Sequence, residues 1–220
     1  LDLEIIESVD ANVSRSGSTT VSAHTLYDII RKIPEGSIIE IELNSNDQME
    51  IKSAQSNFDL PCLPDEDFPE MSSGEMPCGF SIDSGNLARL IDKAKFAIST
   101  EETRYYLNGI FLHSVENELR SVATDGHRLA CIKSDLPAGA EDIPSIIIPR
   151  KTVGEVRKLI EDSSGTLDIK VSDTKIQFTF NDIQLTSKLI DGTFPDYERV
   201  IPKNNDKELL IETKAFASSI

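Results

Sequence analysis

The sequence predicts an α+β protein assembled by repeating one unit, a helix followed by an antiparallel three-strand meander. Three observations carry that expectation. Apolar residues recur at helical spacing in three places, and each stripe is followed by three short runs of strand type. The string Leu63-Pro-Asp-Glu-Asp-Phe-Pro-Glu70 returns as Leu189-Ile-Asp-Gly-Thr-Phe-Pro-Asp196, so the self-similarity extends beyond secondary structure. Asp125-Gly126 separates the runs Leu119–Thr124 and His127–Lys133, and its glycine supplies the positive φ of a tight hairpin turn.

Residues 1–13 read as a strand and Ser14–Thr19 as a loop. Leu26, Ile29, Ile30 and Ile33 make the first helical stripe, closed by Pro34-Glu-Gly36. Ile39–Leu43, Met49–Ile51 and Phe58–Leu60 alternate between short polar turns and form the first meander. From Asp65 to Gly79 acids, Pro, Ser and Gly without periodicity mark a linker and a candidate domain boundary. Leu87, Leu90, Ile91, Ala94 and Ile98 give the second stripe, followed by strands at Tyr105–His113, Leu119–Thr124 and His127–Lys133. Phe96 falls on the polar side of that wheel and is read as bending near the helix end. Pro149 opens a third helix with Val153, Val156, Leu159 and Ile160 on its apolar face. Leu167–Val171, Ile176–Phe178 and Ile183–Leu185 complete its meander. Leu210–Phe216 repeats Ser81–Leu87, so a further copy begins there. Because Leu1 opens in a mid-strand pattern and Ile220 closes in a mid-helix pattern, a piece of a longer protein is expected.

Among 220 residues, 22 Lys and Arg face 38 Asp and Glu, a net charge of -16 that disfavours bulk attraction to nucleic acid or anionic membrane. Any attraction to a polyanion has to be local. Cys62, Cys78 and Cys131 have neither the number nor the spacing of a disulfide framework or a zinc site. No apolar run approaches a membrane span, and no signal-like start is present.

The cations do concentrate. Helical wheels set Arg31 and Lys32, Arg89 and Lys93, and Lys151 and Lys158 opposite the three apolar stripes, with Asp28, Asp92 and Glu155 on the same faces. Two readings stay open: ordinary solvated faces, or the lining of a ring around a polyanion, from which distant acids are screened over about 8 Å. At the hairpin, Thr124, His127 and Arg128 crowd beside Leu129, a mixture suited to docking as well as to a solvated turn. A hydrolase using Asp125, His127 and Ser121 lacks a nucleophile elbow, a phosphate loop and metal spacing.

Four motifs together resemble the bacterial DNA polymerase III beta subunit family, the sliding clamps: Ala123-Thr-Asp-Gly-His-Arg-Leu-Ala130, Arg104-Tyr-Tyr-Leu-Asn-Gly109, Ile148-Pro-Arg-Lys151 and Phe194-Pro-Asp-Tyr197. The resemblance implies a DNA clamp fold, helices on the inner face and sheets outside, in a homodimeric ring around duplex DNA. Residues 1–72 would be the C-terminal part of domain one, 73–203 a complete domain two, and 204–220 the start of domain three. It implies a non-catalytic, cytoplasmic processivity factor, without cofactor, metal or membrane partner. Polymerases, the clamp loader and repair proteins would dock through a peptide rich in Gln, Leu and Phe. The matching peptide positions are Leu107, Thr124, Gly126, His127, Arg128, Leu129, Pro195, Arg199 and Val200. DNA contact falls by resemblance on Tyr105, Tyr106, Arg150 and Lys151, with Arg89 and Lys93 added from the helix faces. Phe58 and Leu60 match one half of the dimer seam. The acidic pair Glu101 and Glu102 departs from what phosphate contact favours. The isolated piece is expected neither to close a ring nor to show full peptide affinity. The alternative is a repeat-built interaction scaffold that does not encircle DNA.

Overall fold

The computed structural model describes residues 1–44, 46–71, 74–161 and 164–220. The expected boundary between residues 72 and 73 falls outside the described residues. The first repeat contains β1 (Leu3–Glu7), α1 (Ala23–Ile30) and the meander β2 (Glu40–Leu43), β3 (Gln48–Ser53) and β4 (Ser56–Pro61). Next come β5 (Cys78–Asp83), α2 (Ser84–Asp92), β6 (Gly109–Val115), β7 (Glu118–Thr124), β8 (Leu129–Asp135) and β9 (Ile146–Pro149). Then α3 (Arg150–Leu159) leads to the meander β10 (Thr166–Val171), β11 (Lys175–Phe180) and β12 (Ile183–Lys188), and α4 (Thr213–Ala217) comes last. No described helix is long and apolar enough to cross a membrane.

The meanders take the register that their alternation dictates, because a slip of one residue would turn every apolar side chain to the other face. Ile169 pairs with Phe178, and Phe178 pairs with Leu185, so all three point into one core. The first meander forms a sheet of its own, β2-β3-β4, and the other two gain strands from elsewhere. β1 and β5 flank β10–β12 in a five-stranded sheet of order β1-β12-β11-β10-β5, and β9 joins the next as β8-β7-β6-β9. The main core lies between these two sheets and the buried stripes of α2 and α3, where Leu90, Val156, Ile110, Leu119 and Phe178 meet.

Helix ends explain several departures from the expected boundaries. The Asp83 carboxylate caps α2 by accepting from Asn86 N–H at 2.9 Å. The helix stops at Asp92, and a 3-10 turn at Lys95–Ala97 buries Ala97 while turning Phe96 outward. Phe96 is therefore exposed by a change of helix type, and the Arg128 guanidinium sits 5.5 Å from its ring centroid. Pro149 remains in β9 as the residue before α3, where its missing N–H costs no helical bond. The Glu212 carboxylate caps α4 by accepting from Ala215 N–H at 2.6 Å, the arrangement that Asp83 gives α2 in the matching repeat position.

Tyr105 and Tyr106 lie on a 3-10 segment, Glu102–Leu107, ahead of β6, and not on the expected strand. Two nearby bonds hold it in that path. Ser99 N–H donates to the Leu107 carbonyl at 3.1 Å, and Asn108 Nδ2 donates to the Glu101 carbonyl at 3.0 Å.

Candidate functional site

The register Thr124↔Leu129 leaves Asp125, Gly126, His127 and Arg128 as a four-residue loop, wider than the two-residue turn expected from Asp-Gly. Side chains build this loop. The Asp125 carboxylate accepts from His127 N–H at 2.9 Å and Arg128 N–H at 3.0 Å, and from Arg128 Nε at 2.9 Å. Those backbone donors first, and then the guanidinium, hold its pKa down to about 2. Thr124 Oγ1 accepts from Gly126 N–H at 3.1 Å and donates to the Arg128 carbonyl at 2.7 Å. Gly126 has φ +89°, as expected.

Arg104, which no sequence motif singles out for a role, supports the loop from below. Its Nε and Nη2 bind both Glu101 oxygens, at 2.8 and 2.7 Å, and Nη2 also donates to the Asp125 carbonyl at 3.1 Å. A Cβ on Gly126 would lie 2.5 Å from Arg104 Nη1, so beside the φ preference for glycine a side chain here would push the guanidinium off the loop. Glu101 is thereby matched by a cation, which offsets half of the acidic pair before the tyrosines. The Arg104→Ala variant is expected to speed amide exchange several-fold at residues 126–128. Global stability should change little, since the Glu101–Arg104 pair is partly solvated. Unchanged exchange at those amides would count against this support role.

Beneath the loop, on the sheet face turned away from α2 and α3, lies a second apolar cluster. Leu107, Val122, Ile147, Phe194 and Tyr197 are buried in it, and Leu129, Cys131, Phe111 and Ile190 pack against it. Phe111 and Phe194 stack at 4.7 Å, and Phe111 also stacks on His113 at 4.5 Å. Leu107, expected to form a wall, is 3% exposed and forms the floor. Leu129 is half-buried, while Pro195 before the 3-10 turn Tyr197–Val200, and Arg199 and Val200 within it, are exposed. His127 and Arg128 are exposed on the loop, and Arg199 Nε pairs with Asp196 at 2.6 Å. Period-two spacing on β6 and β7, which puts Phe111 with His113 and Arg120 with Val122, was the signal that would have revealed the floor.

The hydrolase alternative loses its nucleophile. Ser121 is buried, and its hydroxyl donates to the Leu90 carbonyl at 3.1 Å on the helix side of the sheet. Among the described residues, no three His, Cys, Asp or Glu side chains gather as a metal site.

Basic residues cluster at helix ends more than on helix faces. Arg31 and Lys32 lie past the end of α1, and Lys93 caps α2, where the helix dipole favours cations. Each acid noted on these helices has a local cation: Asp28 with Arg31, Asp92 with Lys95 and Arg157, Glu155 with Lys158. Arg89 is exposed and donates to the Lys133 carbonyl at 2.9 Å. Lys93, Arg150 and Lys151 are exposed and form no ion pair among the described residues. Tyr105 is 54% exposed and Tyr106 half-buried. In the first meander Phe58 is partly exposed, but Leu60 is 3% exposed and already enclosed within the chain, which leaves it little surface for a seam.

Repeated units with two helices packed beside meander sheets, and an apolar site on the opposite sheet face, define a clamp-fold protein. The family described as DNA polymerase III beta subunit, central domain, matches residues 81–196, and its N-terminal domain matches residues 1–72. The chain belongs to the DNA polymerase III beta subunit family. It is 48% identical over 225 residues to the beta sliding clamp of Caulobacter vibrioides, covering 100% of this chain and 60% of that protein. The beta sliding clamp of Rickettsia bellii is 38% identical over 224 residues, covering 100% of this chain and 59% of the relative. Among solved structures, the sliding clamp of Bartonella birtlesii bound to griselimycin superposes with a TM-score of 0.94 at 48% identity, covering 99% of this chain and 59% of that one. The Pseudomonas aeruginosa clamp with ligand gives 0.87 at 38% identity, covering 93% and 56%. The chain thus spans about 60% of the length of the curated relatives it matches.

Proposed function

We propose that this chain is the peptide-docking portion of a sliding clamp, a non-catalytic, cytoplasmic DNA polymerase processivity factor. In the complete protein, topological linkage to duplex DNA replaces tight DNA binding, and the docked enzyme gains effective concentration at the template. The observation that carries the reading is the convergence, over one apolar floor, of the 125–128 loop and the Pro195–Val200 segment. Leu129, Pro195 and Val200 supply apolar contact for a peptide rich in Gln, Leu and Phe, while Thr124, Gly126, His127, Arg128 and Arg199 frame its polar groups. Leu107 supports them from beneath.

Residues 1–72, 73–203 and 204–220 are assigned to clamp domains one, two and three. Duplex DNA is assigned to the Arg89, Lys93, Arg150 and Lys151 side and to Tyr105 and Tyr106. The exposed cations without ion pairs support that assignment. The seam of the homodimeric ring is assigned to the β4 edge, with Phe58 the more accessible of its two residues. Polymerases, the clamp loader and repair proteins are the partners.

Calorimetric titration with a Gln-Leu-Phe type peptide tests the site. Binding is expected with Kd between about 1 µM and 1 mM, displaced by griselimycin, and weakened by about 1–3 kcal/mol in Leu129→Ala. No binding by the folded chain would remove the docking assignment.

A further inference from the structure

We infer that Arg120 and His113 are positioning residues of the peptide site: together they pin the Tyr197 hydroxyl and so fix the Pro195–Val200 wall against the sheet. The inference rests on the docking function proposed above and adds residues that lie behind the surface a peptide would touch.

His113 and Arg120 are cross-strand partners on β6 and β7, on the sheet face that carries Val122 and Phe111. Arg120 Nη1 donates to the Tyr197 hydroxyl at 3.2 Å, and His113 Nε2 lies 3.1 Å from the same oxygen. Arg120 also binds Glu198 at 2.5 Å and Glu118 at 2.9 Å, with only 12% of its side chain exposed. The segment beyond residue 190 depends on these contacts. Ile190 N–H donates to the Ile147 carbonyl, and among the described residues no later backbone bond ties 191–200 to the sheet. What holds it is the Phe194 ring on Phe111, the Tyr197 hydroxyl, and Glu198 on Arg120. Pro195 and Asp196, between those anchors, are exposed.

The bonding is directional. Arg120 donates into the phenolic oxygen, which leaves the phenolic proton to donate to a neutral His113 Nε2. A protonated His113 has no lone pair there to accept it. The groups acting on His113 are Arg120 from β7 and Tyr197 and Glu198 from the 3-10 turn, and behind them stand Glu118, paired with Arg120 and Lys133, and Cys131 beside Tyr197. Burial, and then the Arg120 charge, hold His113 below its ordinary pKa. The sign follows: a depressed folded-state value means that the neutral-histidine contribution is complete above the ordinary pKa of about 6.5 and is lost as pH falls below it.

The test is titration of the Gln-Leu-Phe type peptide into the parent chain, Tyr197→Phe, Arg120→Ala and Arg120→Lys between pH 8 and 5.5. Circular dichroism of each protein reports folding. Tyr197→Phe keeps the ring packing and is expected to bind roughly three- to tenfold more weakly at pH 7.5. Arg120→Ala should do the same or worse, and Arg120→Lys should recover part of the loss. Parent affinity should fall as pH drops from 7 to 5.5 more steeply than that of Tyr197→Phe. The loop residue His127 is common to both proteins, so the difference between the profiles isolates His113. Parent-like affinity and pH profile in Tyr197→Phe would overturn the positioning role while leaving the docking function intact. A parent that binds no peptide at any pH would overturn both.

Discussion

Phe194→Ala is expected to destabilise the protein by about 3–5 kcal/mol and to abolish measurable peptide binding. The side chain is 7% exposed and lies parallel to Phe111, with an interplanar angle of 3°. Truncation removes the stacked partner and leaves a hole between Leu107, Val122 and Ile147, whose backbones belong to elements fixed on their other faces by the main core. Such a site collapses poorly, so the cavity contribution adds to the transfer contribution. The Pro195–Val200 wall would also lose the first of its anchors. Urea denaturation followed by circular dichroism measures the stability, and calorimetry the binding. A loss below about 1 kcal/mol would mean that Phe194 contributes little to the floor.

Gly109→Ala is expected to cost about 3 kcal/mol, at the upper end for overpacking. A Cβ at this position would lie 2.2 Å from the Ile148 carbonyl oxygen and 2.9 Å from its carbon. Both are backbone atoms of the paired strand β9, and no side chain is free to swing aside. The clash has to push β9 away from β6, and Arg150 N–H, which donates to the Asn108 carbonyl at 2.9 Å, moves with it. Because β9 delivers Ile147 to the site floor and starts α3 at Arg150, one methyl group should disturb both the peptide side and the cationic side. Reduced urea stability and faster amide exchange along β6 and β9 are the expected readouts. A variant as stable as the parent would show that the two strands separate without penalty.

The repeats were legible because their signal is periodic. All three meanders appear where the apolar runs fall, and all three internal helical stripes form helices. β9 was missed as a strand for a physical reason. Ile146 and Ile148 face the main core while Ile147 faces the second cluster, so all three are buried and no alternation is visible. The hairpin is wider than Asp-Gly alone implies, because the Asp125 side chain accepts from the His127 and Arg128 backbone N–H groups, which a turn rule based on Asp-Gly omits. Tyr105 and Tyr106 lie on a segment whose path is set by hydrogen bonds of Ser99 and Asn108 that close it into a 3-10 turn, and strand propensity does not report those. The same applies to Arg104, whose two carboxylate bonds are local but whose support of the loop spans to Asp125. At the site, the motif residues indicated the rim, and the alternating aromatic and charged residues behind it hold that rim in place.

Leu3 pairs with Ser187 and Glu7 with Ile183, so β1 completes its sheet with a strand far along the sequence, β12. During synthesis β1 emerges well before β12 and has to wait until β12 has left the ribosome. Closing so long a loop carries an entropic cost, and contacts that pair distant segments form slowly. The interval is hazardous, since β1 carries Ile5 and Ile6, each about half exposed even after pairing. The acids Asp2, Glu4 and Glu7 in and beside the strand place charge there against premature pairing with another nascent chain. Assembly order is therefore written into the sheet: the second unit can build most of its core before the first is stitched to it, and a nascent chain halted before Ile183 presents an open edge to its neighbours.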